Sequence, residues 1–275
     1  MKPIRAAVAA LTVSVLVLAG TALPARAEVT PLATTTSTVT VTTTSGRSFS
    51  ARIVQPRTGS DHGYPVIGFG HGFAQTSSRY DSTLKALAGR GYVVIAPNTQ
   101  TGLLPSHGAF ADDLVAAIAW AGRTLPSTDA ERTAVVGHSM GGGAALLAAD
   151  RDQSIDAVAT MAAAETRPSA VAAARGVQTP ALFVVGSRDT VVKPATTSRM
   201  YDAKPSPATW VSITGGYHCG FVDSSSFFGL GCDSGSISRS TQLGLTGTVV
   251  GDWLDQRLVG ADPAPLPAGV VTESR

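Results

Sequence analysis

Five short and nearly continuous apolar runs recur along the middle of the chain: PVIGFG (65–70), YVVIAP (92–97), TAVVGH (133–138), DAVATMAA (156–163) and ALFVVG (181–186). Such runs are typical of strands that are covered on both faces of a sheet. Between most of them, as at Thr83–Arg90 and Ala111–Gly122, apolar residues recur three and four positions apart, which indicates helices. Alternating strands and helices predict a mostly parallel central sheet with right-handed crossovers and helices on both faces.

The two flanks of this region follow other patterns. The Thr- and Ser-rich stretch 34–45 alternates at Val39 and Val41, so its second half is predicted to be an edge strand that pairs, antiparallel, with residues 49–54. The last helix is predicted over Thr241–Leu258. From Ala261 the chain is rich in Pro and Gly, which predicts a flexible C-terminal tail over 261–275 and a folded domain over 28–260.

The first 27 residues have the composition of a secretory signal peptide. Lys2 and Arg5 precede the apolar run Ala6–Ala22, and Ala25-Arg26-Ala27 has the small-x-small form of a cleavage site. The alternative is a membrane anchor helix, but polar residues break the run and leave it short of the ~20 residues that a span needs. We therefore expect a secreted protein that is cleaved after Ala27 and has no stable membrane anchor.

Composition and charge narrow the class of protein. The 275 residues are 44% hydrophobic and 15% charged, which suits one α/β domain. The formal net charge is +2, but removing Lys2, Arg5 and Arg26 leaves 18 basic residues against 19 acidic ones. The predicted mature chain has no basic cluster that would favour nucleic acid or an anionic membrane surface. We expect a monomer.

The sequence has two cysteines, Cys219 and Cys232. In an oxidising compartment, two cysteines at this separation with no others in the chain predict one disulfide. Two free thiols and half of a metal site are the alternatives, although zinc would need two further soft ligands and His218 alone is not enough. We expect neither a metal nor a cofactor.

One serine lies at the junction of a predicted strand and a predicted helix. Gly137-His138-Ser139-Met140-Gly141 matches the pattern G-x-S-x-G, a sharp turn that lifts a serine hydroxyl out of the edge of a sheet. Glycines at the flanking positions let strand and helix approach closely. A glycine-rich, phosphate-binding helix start is the alternative, but the loop has no Walker-type lysine. Ser139 is therefore the predicted nucleophile.

A nucleophilic serine needs a base and an orienting carboxylate, which follow it along the chain in the order serine, acid, histidine. His218 is the only histidine after Ser139. Asp189 comes three residues after the run ALFVVG, at the carboxyl end of a strand where α/β sheets place their sites. The sequence offers five other acids in this interval: Asp150, Asp152, Asp156, Glu165 and Asp202. Asp189 is the predicted acid and His218 the predicted base.

The tetrahedral intermediate of acyl transfer needs two N–H donors. One is predicted to be the amide of Met140, directly after the nucleophile. The other is predicted in the loop GHGFAQ (70–75) after the first parallel strand, where the amide of Phe73 is the candidate. Because few residues separate Ala163 from Ala181, we expect no lid domain and an open cleft.

With these residues placed, the chain resembles the α/β-hydrolase superfamily, in particular its dienelactone-hydrolase-like branch of secreted, cutinase-type polyesterases, including PET hydrolases. The resemblance covers about residues 45–258 and rests on GHSMGGG, GSRDTVV and GGYHCGF. Phe73 matches the aromatic that these polyesterases usually have in the oxyanion loop. The segment MAAAETRP lacks their usual tryptophan, and Cys219 and Cys232 lie elsewhere than their C-terminal disulfide.

The resemblance and the residues together predict a secreted serine hydrolase that cleaves small-molecule or polymeric carboxylic esters through an acyl-enzyme. A lipase or acyltransferase with the same three residues, acting on lipid or cell-wall acyl groups, is the alternative. A binding protein that has kept the fold would be expected to lack one of the three residues. A peptidase is compatible with the fold, but the chain has no propeller or cap sequence.

Overall fold

The computed structural model describes residues 30–57, 63–224 and 232–275, so the predicted signal peptide lies outside the described residues. The strands are β1 (Thr34–Thr42), β2 (Ser48–Pro56), β3 (Tyr64–Gly70), β4 (Val93–Pro97), β5 (Thr128–His138), β6 (Ala157–Met161), β7 (Ala181–Gly186), β8 (Ala208–Ile213) and β9 (Val270–Ser274). The α-helices are α1 (Asp81–Gly89), α2 (His107–Thr124), α3 (Met140–Arg151), α4 (Ala170–Gly176), α5 (Pro194–Ala203) and α6 (Arg239–Leu254).

These strands form one sheet in the order β1-β2-β4-β3-β5-β6-β7-β8-β9. The strands from β4 to β8 in this order pair in parallel, while β1 with β2 and β2 with β4 pair antiparallel. The predicted sheet is therefore confirmed. The order reverses at β3, and ligands of open α/β sheets bind at the carboxyl ends of strands beside such a reversal.

Each face of the sheet carries a separate apolar core. On one face, buried residues of α2, α3, α4 and α5 form a cluster with side chains of the strands. This cluster includes Phe110 of α2, Leu146 of α3 and Phe183 of β7. On the other face, α1 and α6 contribute Leu84 and Trp253 to a second cluster. Helices cover both faces, as predicted, and the only helix in the connection between β6 and β7 is α4, so no lid domain is present there.

The prediction of a flexible tail over 261–275 is wrong for residues 270–274. Val270–Ser274 forms β9, which pairs antiparallel with β8 from Ile213↔Val270 to Thr209↔Ser274. Without β9, one side of β8 would present unpaired backbone N–H and C=O groups, and pairing satisfies them. The segment before β9 is rich in Pro and Gly, so the composition of this region does not predict the short strand.

The last helix differs from the predicted Thr241–Leu258 at both ends. It begins at Arg239, where the Ser238 side chain accepts a hydrogen bond from the Thr241 amide, and it ends at Leu254. One π-helical turn, Asp255–Val259, follows and stops at Gly260, whose φ is 70°. None of the helices in the described ranges has the length and apolar character that crossing a bilayer requires.

Candidate active site

The turn between β5 and α3 holds Ser139 in a strained conformation. Its φ is 55° and its ψ is −119°, values that L-residues rarely adopt. A Cβ atom at Gly137 would lie 2.2 Å from the carbonyl oxygen of Gly141, and one at Gly141 would lie 2.1 Å from that of Gly70. The glycines on either side of Ser139 are therefore sterically required, as the sequence predicted from the motif.

Three side chains from three separate loops meet at the carboxyl end of the sheet. The Ser139 hydroxyl lies 3.0 Å from Nε2 of His218, and Nδ1 of His218 lies 2.7 Å from Oδ2 of Asp189. Each of the three residues is less than 10% exposed. The structure thus brings together the predicted nucleophile, base and acid in one hydrogen-bonded chain.

Asp189 is held by the loop that follows β7. Its Oδ1 atom accepts hydrogen bonds from the amides of Val191 and Val192, at 2.9 and 2.8 Å, which leaves Oδ2 to face His218. Two of the other acids lie elsewhere: Asp152 is the C-cap of α3, and Asp156 precedes β6 at the amino end of the sheet. Geometry therefore favours Asp189.

The two predicted oxyanion donors lie beside this chain of residues. Met140 is the first residue of α3, and Phe73 follows β3, the neighbour of β5 in the sheet. Within the described ranges, neither amide donates a hydrogen bond to another part of the protein. Their role as oxyanion donors stays a prediction. The Phe73 side chain is 38% exposed.

Next to Ser139 in the chain, His138 is buried and joins a polar cluster that the sequence did not reveal. Its Nδ1 atom lies 2.9 Å from the hydroxyl of Tyr80. That hydroxyl accepts a hydrogen bond from the Gly72 amide at 2.8 Å and donates one to Oε1 of Gln75 at 2.7 Å. Burial, and to a smaller extent the nearby His218, hold the pKa of His138 well below its ordinary value.

A second buried histidine, His71, lies in the oxyanion loop itself. Its ring nitrogens are 2.8 Å from the carbonyl oxygen of Gly72 and 2.9 Å from that of Thr99. Burial lowers the pKa of His71, although the two carbonyl contacts oppose that effect. His71 therefore links the loop after β3 to the loop after β4.

The two cysteines form a disulfide, with their Cα atoms 5.9 Å apart. Neither is a free thiol. Among the residues that the structure describes, no group of three or more His, Cys, Asp or Glu side chains is arranged to hold a metal ion. The disulfide joins the residue after His218 to the residue before Asp233.

Two further side chains near His218 also escaped the sequence analysis. The carboxylate of Asp233 accepts hydrogen bonds from the backbone amides of Thr190, His218 and Cys219. Gln242, buried in α6, accepts from the amide of Tyr217 at 2.9 Å and donates to its carbonyl at 2.8 Å. Neither residue belongs to a recognisable motif, so only the fold reveals them.

The sheet order, the strained serine turn and the position of the acid and histidine loops define an α/β hydrolase. The family model described as PETase, PET hydrolase-like, matches residues 20–230. The chain therefore belongs to the PET hydrolase-like family.

A curated relative agrees with this class. Over 86 residues the chain is 34% identical to Chlorophyllase-1 of Arabidopsis thaliana, an alignment that covers 29% of this chain and 26% of the relative. The chain thus matches only about a quarter of that relative's length.

Proposed function

We propose that the protein is a serine esterase in which Ser139 is the nucleophile, His218 the general base and Asp189 the residue that orients the base. The observation that carries this proposal is the unbroken hydrogen-bonded chain from the Ser139 hydroxyl through His218 to Asp189. A serine hydroxyl is a weak nucleophile, and a neighbouring imidazole that accepts its proton overcomes this.

The reaction follows from the positions of these groups. Oγ of Ser139 attacks the ester carbonyl carbon while Nε2 of His218 takes its proton, and the amides of Met140 and Phe73 donate to the developing oxyanion. The protonated His218 then gives its proton to the leaving alcohol. Water, activated by the same imidazole, hydrolyses the acyl-enzyme and releases the acid.

The substrate class and the location of the protein belong to the same proposal. The connection between β6 and β7 has no lid, which suits small soluble esters and polymer chains alike. The apolar N-terminal run, its small-x-small end and the disulfide between Cys219 and Cys232 support export with cleavage after Ala27. We propose that the protein acts as a monomer without a cofactor or metal.

The assignment of the nucleophile is tested with a fluorophosphonate probe. The wild-type protein is expected to be labelled at Ser139 and to hydrolyse p-nitrophenyl esters, and Ser139→Ala is expected to lose both properties while it keeps its circular dichroism spectrum. Equal labelling of the variant and the wild type would refute the assignment. A panel of acyl chain lengths and a polyester film then define the preferred ester.

The role of Asp189 has its own test. Asp189→Asn keeps the shape of the side chain but favours the wrong tautomer of His218, so we expect kcat to fall by about 10³–10⁴-fold. Asp202→Asn, on the exposed face of α5, is the matched control and is expected to leave kcat unchanged. Normal turnover by Asp189→Asn would remove Asp189 from the mechanism.

A further inference from the structure

Two loops must keep a fixed relative position if Asp189 and His218 are to remain in contact. One loop follows β7 and carries Asp189, and the other follows β8 and carries His218. Before these two residues, the loops are joined by hydrogen bonds from the Arg188 amide to the Gly216 carbonyl and from the Gly215 amide to the Ser187 hydroxyl. Beyond Asp189 and His218, one side chain among the described residues connects the two loops.

That side chain is Asp233. Its Oδ2 atom accepts from the amide of Thr190 at 3.1 Å and from the amide of His218 at 2.9 Å, and its Oδ1 atom accepts from the amide of Cys219 at 3.0 Å. Oδ2 of Asp233 therefore links Thr190, the residue after Asp189, to His218. The donors lie 43, 15 and 14 residues away in sequence, so this is no local turn.

We propose that Asp233 is a positioning residue that sets the distance between Asp189 and His218, an inference that rests on the proposed function. Hydrogen bonds to a charged carboxylate are about twice as strong as those to a neutral acceptor, and three donors converge on this one. Misplacing a catalytic group by about 1 Å can reduce the rate ~100-fold. Loss of Asp233 therefore changes the chemical step and leaves the binding of substrate nearly unaltered.

Two variants and one control test this inference with p-nitrophenyl butyrate as substrate. For Asp233→Ala we expect kcat to fall ~10–100-fold with KM within about twofold of the wild-type value. Asp233→Asn has one oxygen acceptor and one amino group, which cannot accept, so a smaller loss is expected. The control is Asp156→Ala, since Oδ2 of Asp156 accepts from the Thr133 amide at 2.8 Å and joins two strands at the opposite end of the sheet.

Hydrogen–deuterium exchange of the amides of Thr190, His218 and Cys219 is the second readout, and it does not depend on activity. Exchange at these amides is expected to be faster in Asp233→Ala than in the wild type and unchanged in Asp156→Ala. Unchanged exchange at all three amides would overturn the inference. Equal kcat values for wild type and Asp233→Ala, or an equal loss in Asp156→Ala, would also overturn it.

The failure of the proposed function would look different. In that case the wild-type protein itself would neither react with a fluorophosphonate nor hydrolyse esters. The exchange experiment would still decide whether Asp233 holds the two loops together.

Discussion

Ser139 keeps its unusual backbone conformation because its own peptide groups are tied to three parts of the fold. Its amide donates to the carbonyl of Met161, and its carbonyl accepts from the amides of Gly142, Gly143 and Ala164 at 2.9–3.1 Å. A residue in such a region costs about 1–3 kcal/mol and persists only where its surroundings determine it. Four hydrogen bonds to α3, β6 and the segment after β6 fix the backbone of Ser139 in this conformation. The Ser139 hydroxyl is therefore held toward His218.

Tyr80 plays a comparable part for the oxyanion loop. Its buried hydroxyl accepts from the Gly72 amide, donates to Gln75 and contacts His138. In Tyr80→Phe the Gly72 amide loses its partner, and a buried unsatisfied donor costs about 1–3 kcal/mol. We expect a loss of stability of that size in urea unfolding, together with a lower kcat, because Gly72 directly precedes the predicted oxyanion donor Phe73.

Tyr92→Phe is the matched control for this prediction. Tyr92 is also buried, and its hydroxyl donates to Asp255 at 2.7 Å, in a cluster with Arg90 that joins α1 to the end of α6. This variant is expected to lose stability without a change in kcat. If both variants had the same kcat, Tyr80 would contribute to folding alone.

At the scale of elements, the disulfide between Cys219 and Cys232 lies between two residues that the site depends on. The two cysteines are 13 residues apart in sequence. In the chain-entropy estimate, a disulfide that closes a loop of about this size stabilises the folded protein by roughly 3 kcal/mol. Because it fixes the residue before Asp233 and the residue after His218, we expect Cys219→Ser/Cys232→Ser to lower both the melting temperature and kcat, measured well below melting.

Wild-type protein treated with a reductant is the matched comparison and is expected to behave like the double variant. Two free thiols in the untreated protein would end this prediction. A lower melting temperature with an unchanged kcat would mean that the disulfide steadies the loop and does not affect the chemistry.

The elements also show what the sequence can and cannot predict. The parallel strands and the turn at Ser139 have local signatures, namely apolar runs and a glycine-flanked serine. The strand β9 has no such signature, because its pairing with β8 joins residues about 60 positions apart behind a segment rich in Pro and Gly. Asp233 and Gln242 act through backbone groups of distant loops, and such contacts exist only once the chain has folded.

For the molecule as a whole, two buried histidines with lowered pKa values make stability depend on pH. Burial lowers the pKa of His71 and that of His138 below the ordinary value of 6.5. In the unfolded chain both rings take up a proton as the pH falls through about 6.5, whereas in the folded protein their lowered pKa values shift this uptake to lower pH. The stability that they contribute is therefore fully present above pH 6.5 and is lost as the pH falls below it.

We expect the free energy of unfolding to decrease between pH 6.5 and 5 by up to about 1.4 kcal/mol per pH unit for each of these histidines. Urea unfolding at half-unit steps of pH measures this slope, and His71→Gln and His138→Gln are each expected to reduce it, whatever they do to stability at pH 7.5. His107→Gln is the control, since His107 lies at the start of α2 and is only partly buried. If neither buried-site variant changed the slope, the acid sensitivity would have to come from carboxylates, and His71 and His138 would titrate in the folded protein much as they do in the unfolded chain.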